Sequence, residues 1–308
     1  QPSVPSQPIV DAVLSPDGTR FYSIDNRSQV QIWDAERGAV LASLPAIDVS
    51  VTRLSSDGRR LLTVSRGASP TDLIQLWDMA TGRMLAELRG ADAEGTTDVR
   101  FAPGARYVLI ERTEAVHKIR VWDTVENRMK LVEEGQRVQF SSDGRRAAVF
   151  GSGTRPQLFD LTTGKNYAQL RYQQTAIVEA QFSADGRRAI TIHKSSDSDG
   201  EGAAQVACIW NVTEGSFVAV MAEKKGSIRQ VVQSPDGKLV VTMTDTGTAS
   251  LWDIDSGRKL AVLDDDDENE EGKTKLAFGQ SGRHVLIRNP SSLGVFELPS
   301  GRQVQLSG

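Results

Sequence analysis

Short apolar segments separated by polar turns run through the whole chain, and their order repeats. The copy that surrounds Asp236 shows the unit clearly, because its apolar segments are only four to six residues long and rich in β-branched residues. Such segments, with turn residues between them, predict β-strands rather than helices. We expect four consecutive strands in this copy, named a to d: Ile228–Gln233, Leu239–Thr244, Thr248–Trp252 and Leu260–Leu263.

Two sequence signatures recur at fixed places in the repeat. A Ser-x-Asp-Gly turn joins strands a and b at residues 15–18, 55–58, 141–144, 183–186 and 234–237, and weaker copies end at Gly104 and Gly282. Strand c ends in an aromatic residue followed by an acid or an amide: Trp33-Asp34, Trp77-Asp78, Trp122-Asp123, Phe159-Asp160, Trp210-Asn211, Trp252-Asp253 and Phe296-Glu297. All five tryptophans occupy this position, so the chain holds seven copies of one unit.

The length of the unit indicates the architecture. Six intervals separate Trp33 from Phe296, a mean of about 44 residues, which matches a four-stranded propeller blade. The Asp-Gly and Ser-Gly pairs supply the positive φ that tight hairpins require. One such sheet cannot bury its faces alone, whereas seven sheets stacked around an axis can. The sequence therefore predicts an all-β, seven-bladed β-propeller with four antiparallel strands per blade.

We expect two parts in the chain: a Pro-rich linker or processed N-terminus at residues 1–8, and the propeller at residues 9–308. The blades are about 9–44, 48–88, 97–132, 136–171, 176–222, 227–263 and 273–308. Because the chain starts with Gln1 and prolines punctuate its polar opening, we also expect that a signal peptide or an upstream domain has been removed.

The repeats resemble WD40 repeats, on the Trp-Asp pairs and Ser-Pro-Asp-Gly turns quoted above, over residues 9–308. The resemblance implies a non-catalytic scaffold for protein interaction or sensing, forming one domain of a larger protein. The chain departs from the family pattern in that no histidine precedes any strand a, and Arg27 and Thr246 replace the aspartate usual six residues before the tryptophan. We therefore expect the Asp-His-Ser/Thr-Trp hydrogen-bond network of regular blades to be absent, and apolar packing to hold the blades.

Composition and charge argue against other classes of protein. The chain is 39% hydrophobic and 25% charged, as is typical of a folded, soluble protein. No apolar run reaches the roughly 18 residues that span a bilayer. The net charge of -4 disfavours a nucleic-acid partner. The one cysteine, Cys208, is two residues before Trp210 and is expected to be a buried small hydrophobe, which leaves the cellular compartment open.

Loop lengths point to a binding surface. The spacing from the turn glycine to the strand-c aromatic residue measures the length of the b-to-c connection. This spacing is 24 residues from Gly186 to Trp210 but only 15 from Gly18 to Trp33. The second and third repeats also have extended b-to-c connections. In WD40-like propellers these connections share one rim with the d-to-a links, of which Asp264 to Gly272 is the longest. Because variable loops on a rigid scaffold commonly carry binding, we place the candidate surface there. The partner-binding candidates are Asp264, Asp265, Asp266, Asp267, Glu268, Glu270, Glu271, Asp197, Asp199, Glu201, Arg89, Asp92, Glu94, Tyr172, Lys224 and Lys225.

The acidic run has two interpretations. The simpler one is a solvated loop, and the sharper one is a docking patch for a basic protein or peptide partner. Calcium is a weaker variant, because Asp197-x-Asp199-Gly200 lacks the further ligands of an EF-hand loop. On the opposite rim, many arginines follow the a-to-b and c-to-d turns, and we expect them to be solvated because acids of the same turns offset their charge.

No sequence signal indicates a catalytic centre, a metal or a cofactor. The three histidines, His117, His193 and His284, lie in different repeats without metal-ligand spacing, and the first two are expected in or near exposed loops. The Asp-Gly turns join strand to strand, so they offer no helix N-terminus to a phosphate. Two alternatives stay open: a periplasmic accessory propeller with TolB-like repeats, and a propeller enzyme with its site in the central channel.

Overall fold

A computed structural model of the chain describes residues 7–45, 48–66, 72–90, 93, 95–112, 118–135, 137–151, 154–169, 176–194, 205–223, 226–264, 275–288 and 293–304. The regular elements within these ranges are all β-strands. None of the residues described belongs to a helix of the length and apolarity needed to cross a bilayer.

The chain divides into two compact units, and the first comprises residues 1–138 and 161–164. It contains three complete four-stranded sheets, in each of which the strands pair antiparallel in chain order. Sheet 1 is β1 (Ile9–Leu14), β2 (Arg20–Asp25), β3 (Val30–Asp34) and β4 (Ala39–Ser43); sheet 2 is β5 (Val49–Leu54), β6 (Arg60–Arg66), β7 (Asp72–Asp78) and β8 (Met84–Leu88); sheet 3 is β9 (Thr96–Phe101), β10 (Tyr107–Arg112), β11 (Lys118–Asp123) and β12 (Arg128–Glu134).

The second unit comprises residues 139–160 and 165–308. Sheets 5 to 7 lie in it completely, and sheet 4 belongs mainly to it, with the start of its first strand assigned to the first unit. Sheet 4 is β13 (Arg137–Phe140), β14 (Arg146–Gly151), β15 (Thr154–Asp160) and β16 (Lys165–Gln169); sheet 5 is β17 (Ala176–Phe182), β18 (Arg188–Lys194), β19 (Gln205–Asn211) and β20 (Ser216–Met221); sheet 6 is β21 (Ile228–Gln233), β22 (Leu239–Thr244), β23 (Ala249–Asp253) and β24 (Lys259–Asp264); sheet 7 is β25 (Lys275–Phe278), β26 (His284–Arg288), β27 (Leu293–Glu297) and β28 (Arg302–Gln303).

Seven four-stranded antiparallel sheets confirm the predicted all-β class. In sheet 6 the predicted strands a and b coincide with β21 and β22, while β23 is displaced by one residue and β24 extends one residue further at each end. The first turns of the chain also follow the prediction, since Gly18 closes its a-to-b turn with φ of 70°. Local turn chemistry and strand periodicity were therefore sufficient to place these elements.

Within each of the two units, apolar cores lie between consecutive sheets. In the first unit, Leu62 and Ile74 of sheet 2 pack with Val99 and Trp122 of sheet 3. In the second unit, equivalent cores join sheets 4 and 5, sheets 5 and 6, and sheets 6 and 7. Cys208 is fully buried in the core between sheets 4 and 5, which confirms its interpretation as a small hydrophobe. Within each unit, consecutive sheets thus bury apolar faces against one another, as a stacked repeat requires.

The tryptophans correct one expectation about how the blades are held. In four sheets the indole Nε1 donates to a buried hydroxyl of strand b: Trp33 to Ser23 at 2.8 Å, Trp77 to Thr63 at 2.9 Å, Trp210 to Thr191 at 2.7 Å and Trp252 to Thr242 at 2.8 Å. The predicted absence of the network was therefore wrong for its Trp-to-hydroxyl half. In sheet 3 the indole of Trp122 donates instead to Asn127 Oδ1 at 3.2 Å.

His193 also differs from the prediction. It lies inside β18 with 1% of its surface exposed, not in an exposed loop. Its Nε2 is 2.6 Å from Thr191 Oγ1, which is the hydroxyl that accepts from Trp210. Burial lowers the pKa of the imidazole from 6.5 to about 4, so the ring is neutral at physiological pH. His193 is therefore part of the core of sheet 5; His117 lies outside the described residues.

Candidate functional site

The two ends of each sheet carry different chemistry. We call the end with the a-to-b and c-to-d turns the turn end, and the end with the b-to-c connection and the incoming d-to-a link the loop end. Every sheet is an antiparallel meander, so successive connections alternate between these two ends. The candidate rim predicted from the sequence corresponds to the loop end.

The acids of the turn end are used to close the turns. Ser15 Oγ donates to Asp17 Oδ1 at 2.6 Å, and the same oxygen accepts from the Thr19 backbone N–H at 3.0 Å. The serine hydroxyl donates to aspartate at the same 2.6 Å in four further turns: Ser55 to Asp57, Ser141 to Asp143, Ser183 to Asp185 and Ser234 to Asp236. The hydrogen bond from Ser15 is the main reason that the pKa of Asp17 is lowered to about 2. These carboxylates are structural.

Three arginines of the turn end connect neighbouring sheets. Arg60 Nη1 donates to the Ala105 carbonyl at 2.7 Å, and Arg146 Nη1 donates to the Gly186 carbonyl at 3.0 Å. Arg188 pairs with Asp255 of the next sheet at 2.9 Å. The expectation that the turn-end arginines are merely solvated was therefore wrong for these three. They bridge sheet 2 to sheet 3, sheet 4 to sheet 5 and sheet 5 to sheet 6, which solvation alone does not explain.

A charged cluster at the turn end of sheet 3 is also satisfied internally. The side chain of Asp123 is fully buried, and Arg106 Nη2 donates to its Oδ2 at 2.8 Å. Burial is the largest single influence and raises the pKa of Asp123, but the hydrogen bonds from Arg106 and from the backbone N–H groups of Glu126 and Val125, with the charge of Arg106, together outweigh it, so the pKa is lowered. Lys130 has only 3% of its side chain exposed and donates to Glu126 at 2.9 Å and to the Thr162 carbonyl at 3.1 Å. The cluster fixes a turn and leaves its charges little capacity for a ligand.

The loop end of sheets 1 and 2 instead carries an open cleft. Its cavity volume is about 520 Å³, and its walls come from the start of β1, the end of β2 with the following turn, and the start of β5. Val10, Ile24 and Val51 supply apolar lining, and Asp11 and Asp25 supply carboxylates. All of these residues belong to the first unit. The cleft is therefore a mixed apolar and acidic cavity at the end of the sheets where binding was predicted.

Backbone irregularities shape the cleft. The β1–β2 pairing skips Val10 and the β5–β6 pairing skips Ser50, so β1 and β5 each carry a β-bulge at the second residue. A bulge leaves its extra residue unpaired and re-aims the side chain. Val10 is 70% exposed, and its neighbours Ile9 and Asp11 are exposed as well. Val10 and Ser50 both line the cleft. In a regular ladder, the face to which each side chain points would follow from the strict alternation along the strand, and a bulge interrupts that alternation.

The two cleft carboxylates keep free oxygen atoms. Asp25 Oδ1 accepts from the backbone N–H groups of Arg27 and Gln29, both at 2.9 Å, and Oδ2 has no hydrogen bond within the described part of the chain. Asp11 forms no ion pair or hydrogen bond with a described residue. Asp98 occupies the position of Asp11 in sheet 3, but Arg53 Nη2 donates to it at 2.7 Å. Charge is thus neutralised at Asp98 and available at Asp11.

Most of the residues predicted as partner-binding lie outside the described residues: Asp265, Asp266, Asp267, Glu268, Glu270, Glu271, Asp197, Asp199, Glu201, Asp92, Glu94, Tyr172, Lys224 and Lys225. Asp264 ends β24, and its backbone alone is described. Arg89 follows β8 at the loop end and is exposed, with Nη2 donating to Glu87 Oε2 at 2.9 Å. Within the described ranges, no group of three His, Cys, Asp or Glu side chains could hold a metal ion.

None of the cleft residues was among the residues predicted to bind a partner. Asp11 and Asp25 are far from the acidic run, and neither belongs to an extended loop. One signal was present: Asp11 interrupts the first apolar segment, and Asp25 ends the next segment along the chain. Antiparallel pairing returns the end of β2 to the start of β1, which brings the two acids to the same end of sheet 1. The involvement of β5 could not be deduced from that pattern.

Comparison with known proteins shows distant similarity over most of the chain. The DENN domain and WD repeat-containing protein SCD1 of Arabidopsis thaliana is 26% identical over 249 residues, which cover 78% of this chain and 19% of that protein. The nuclear distribution protein nudF of Aspergillus niger is 22% identical over 260 residues, which cover 78% of this chain and 58% of that protein. The chain therefore spans only part of the length of these relatives. No protein-family model matches the sequence.

A solved structure shares the fold at lower identity. The crystal structure of a eukaryotic initiation factor superposes with a TM-score of 0.54 and 16% sequence identity, over 98% of this chain and 88% of that chain. Similarity at this identity is evidence for the fold and not for a shared activity.

Proposed function

We propose that this chain, which is a seven-bladed β-propeller of WD40-like repeats, is a protein-interaction module that binds a protein or peptide partner at the loop end of its blades. The fold class supports the general role, because propellers of this type commonly serve as interaction scaffolds. The relatives are longer than this chain, which supports a module that works as one domain of a larger protein. No catalytic step is part of the proposal.

The contrast between the two ends of the blades carries the proposal. At the turn end, serines, aspartates and the three inter-sheet arginines form hydrogen bonds or ion pairs with other groups of the protein. At the loop end of blades 1 and 2, the cleft of about 520 Å³ has apolar walls and two carboxylates with free oxygens. Binding sites are typically concave and apolar with a few directed polar groups. The loop end therefore has the features of a partner surface.

The acidic segment that follows β24 extends the same proposal. Residues 264–271 carry seven acids around Asn269, and they connect β24 to the next blade at the loop end. A segment of this charge attracts a basic partner over a distance of about 8–10 Å at physiological ionic strength. We propose that it contributes electrostatic steering, which acts mainly on the association rate. The blade-5 acids and the other loop candidates are proposed as part of the same surface.

Affinity capture from the source lysate tests the proposal with three forms of the chain. The first is the intact chain, the second replaces residues 264–271 by a short Gly-Ser link, and the third keeps the length but changes the seven acids to Asn and Gln. A captured protein is then purified and its affinity measured by calorimetry at low and high salt. We expect one partner that binds the intact chain, binds both variants more weakly, and loses affinity as salt rises.

A control variant separates loss of charge from loss of the surface. Changing Asp34, Asp78 and Asp253 to Asn removes charge from the c-to-d turns, at the turn end, and Asn keeps an oxygen for the turn N–H groups. This variant should retain the partner. The proposal fails if the intact chain captures no protein, or if turn-end and loop-end variants weaken a captured partner equally.

A further inference from the structure

The cleft of blades 1 and 2 has walls suited to a long side chain with an apolar stem. Val10 lies near the start of β1, Val51 lies near the start of β5, and Ile24 lies on β2 in the same lining. Val10 is 70% exposed, the largest exposed fraction among the exposed large apolar residues that the structure describes. Long basic side chains bury their methylene groups against such surfaces and keep the charged head among polar groups. The apolar part of the cleft is therefore complementary to the methylene groups of a lysine or arginine side chain, and the carboxylates of Asp11 and Asp25 lie in the same lining.

The charge of the cleft selects the head group. Asp11 and Asp25 line it with carboxylate oxygens that no described residue neutralises. Among the lining residues that the structure describes, the one cation is Arg53, and its guanidinium donates to Asp98 at 2.7 Å and to the Thr52 carbonyl at 2.9 Å. A cationic head group gains charge-assisted hydrogen bonds here, whereas an anion meets unpaired carboxylates. The complementary ligand is a cation.

We infer that this cleft takes an arginine side chain from an extended segment of the partner, with the guanidinium between Asp11 and Asp25 and the stem against Val10 and Val51. Arginine suits the site better than lysine, because its planar fork offers five donors and serves two carboxylates at once. This inference rests on the proposed function for the origin of the ligand. The binding of the side chain itself is a property of the cleft and is tested without a partner.

The probe is Nα-acetyl-arginine amide, and its neutral isostere Nα-acetyl-citrulline amide is the control ligand. The full chain, labelled at Ile and Val methyl groups, is titrated by NMR with Val10, Ile24 and Val51 as reporters. We expect saturable shifts of these methyls with arginine, in the millimolar range of a single side chain. Citrulline, which lacks the charge, should bind about tenfold more weakly or not at all.

The protein variants are chosen to preserve the fold. Asp11→Asn removes a charge that no described residue uses, and Asp25→Asn keeps Oδ1 as the acceptor for the backbone of Arg27 and Gln29. The matched control is Asp34→Asn, which is the same change in a similar capped turn at the opposite end of sheet 1. We expect the double variant of Asp11 and Asp25 to lose about tenfold or more in arginine affinity, and Asp34→Asn to bind as the wild type does.

Equal shifts with arginine and citrulline would overturn the inference, as would unchanged affinity in a folded double variant. Folding of each variant is checked by the methyl spectrum away from the cleft. The two proposals fail separately. Arginine binding without any captured partner overturns the proposed function alone, whereas a partner that depends on residues 264–271, with no arginine binding to the cleft, overturns only this inference.

Discussion

Removing one hydroxyl from the core of blade 5 tests how the tryptophan hydrogen bonds contribute to stability. Thr191 Oγ1 accepts from Trp210 Nε1 at 2.7 Å and is 2.6 Å from His193 Nε2. Because the indole can only donate, the hydroxyl proton is free to go to the imidazole, which accepts in its neutral form. Thr191→Val keeps the shape and leaves both the indole N–H and the imidazole nitrogen without this partner.

Two other blades supply reference variants with one partner each. Thr63 accepts from Trp77 at 2.9 Å and Thr242 accepts from Trp252 at 2.8 Å, and all three threonines are fully buried. A buried polar group left unpaired costs about 1–3 kcal/mol. We therefore expect Thr63→Val and Thr242→Val to lower the free energy of unfolding by about 1–2 kcal/mol each, and Thr191→Val to lower it by about 2–4 kcal/mol.

Urea denaturation at pH 7.5, followed by tryptophan fluorescence, measures the three differences. The methyl group gained in valine is the same in every variant, so it cancels in the comparison. Equal losses for Thr191→Val and the two reference variants would refute the assignment of a second hydrogen bond to His193. Losses below about 0.5 kcal/mol in all three would refute the stabilising role of the tryptophan bonds altogether.

Three further outcomes follow from the same structure. Burial lowers the pKa of His193 to about 4, so the unfolded chain takes up a proton below about pH 6.5 and the native chain does not. The stability present above pH 6.5 is therefore lost as the pH falls towards 4, by about 1.4 kcal/mol per pH unit. Between pH 7.5 and pH 5 the urea midpoint should fall much more in the wild type than in His193→Gln, in which the carboxylates with lowered pKa values still contribute a smaller loss. Arg60→Met should cost about 1 kcal/mol through loss of its bond to the Ala105 carbonyl, while Arg59→Met, at an exposed neighbour, should cost less than about 0.5 kcal/mol in the same assay. Gly82→Ala should lower the melting temperature much more than Gly18→Ala, because both have positive φ but a Cβ at Gly82 would lie 2.1 Å from Ala42 Cβ and one at Gly18 would meet nothing within 4 Å.

The fold was predictable because each blade is a local structure. Strand a of blade 6 and the Ser234–Gly237 turn after it depend on residues only a few positions apart, and the prediction placed β21 and β22 at their observed bounds. The same pattern of turns and strands recurs in seven copies, so the prediction for one blade is supported by six others. The predicted class was confirmed for the same reason, since hairpin topology needs no long-range contact to be specified.

Long-range contacts account for the expectations that were wrong. Arg60 and Ala105 are 45 residues apart, and nothing near Arg60 in the chain indicates that its guanidinium reaches the carbonyl of the next blade. His193 follows a strand pattern that ends at an extended connection, so its burial depended on how far β18 continued. The hydroxyl that accepts from each tryptophan lies on strand b, 10 to 19 residues earlier in the chain. The absence of the family's histidine led to the expectation that the whole network was missing, and it carried no information about this hydroxyl.

The sequence by itself determined the number of repeats, the strand order within each blade and the chemistry of the turns, because period and turn propensity are local properties. Only the tertiary structure decided where an open site lies. The cleft combines residues of β1, β2 and β5, and its wall includes Val10 and Ser50, which the strand pairing skips. A bulge arises when neighbouring strands pair and pack, so the positions of these two residues are decided only in the folded chain.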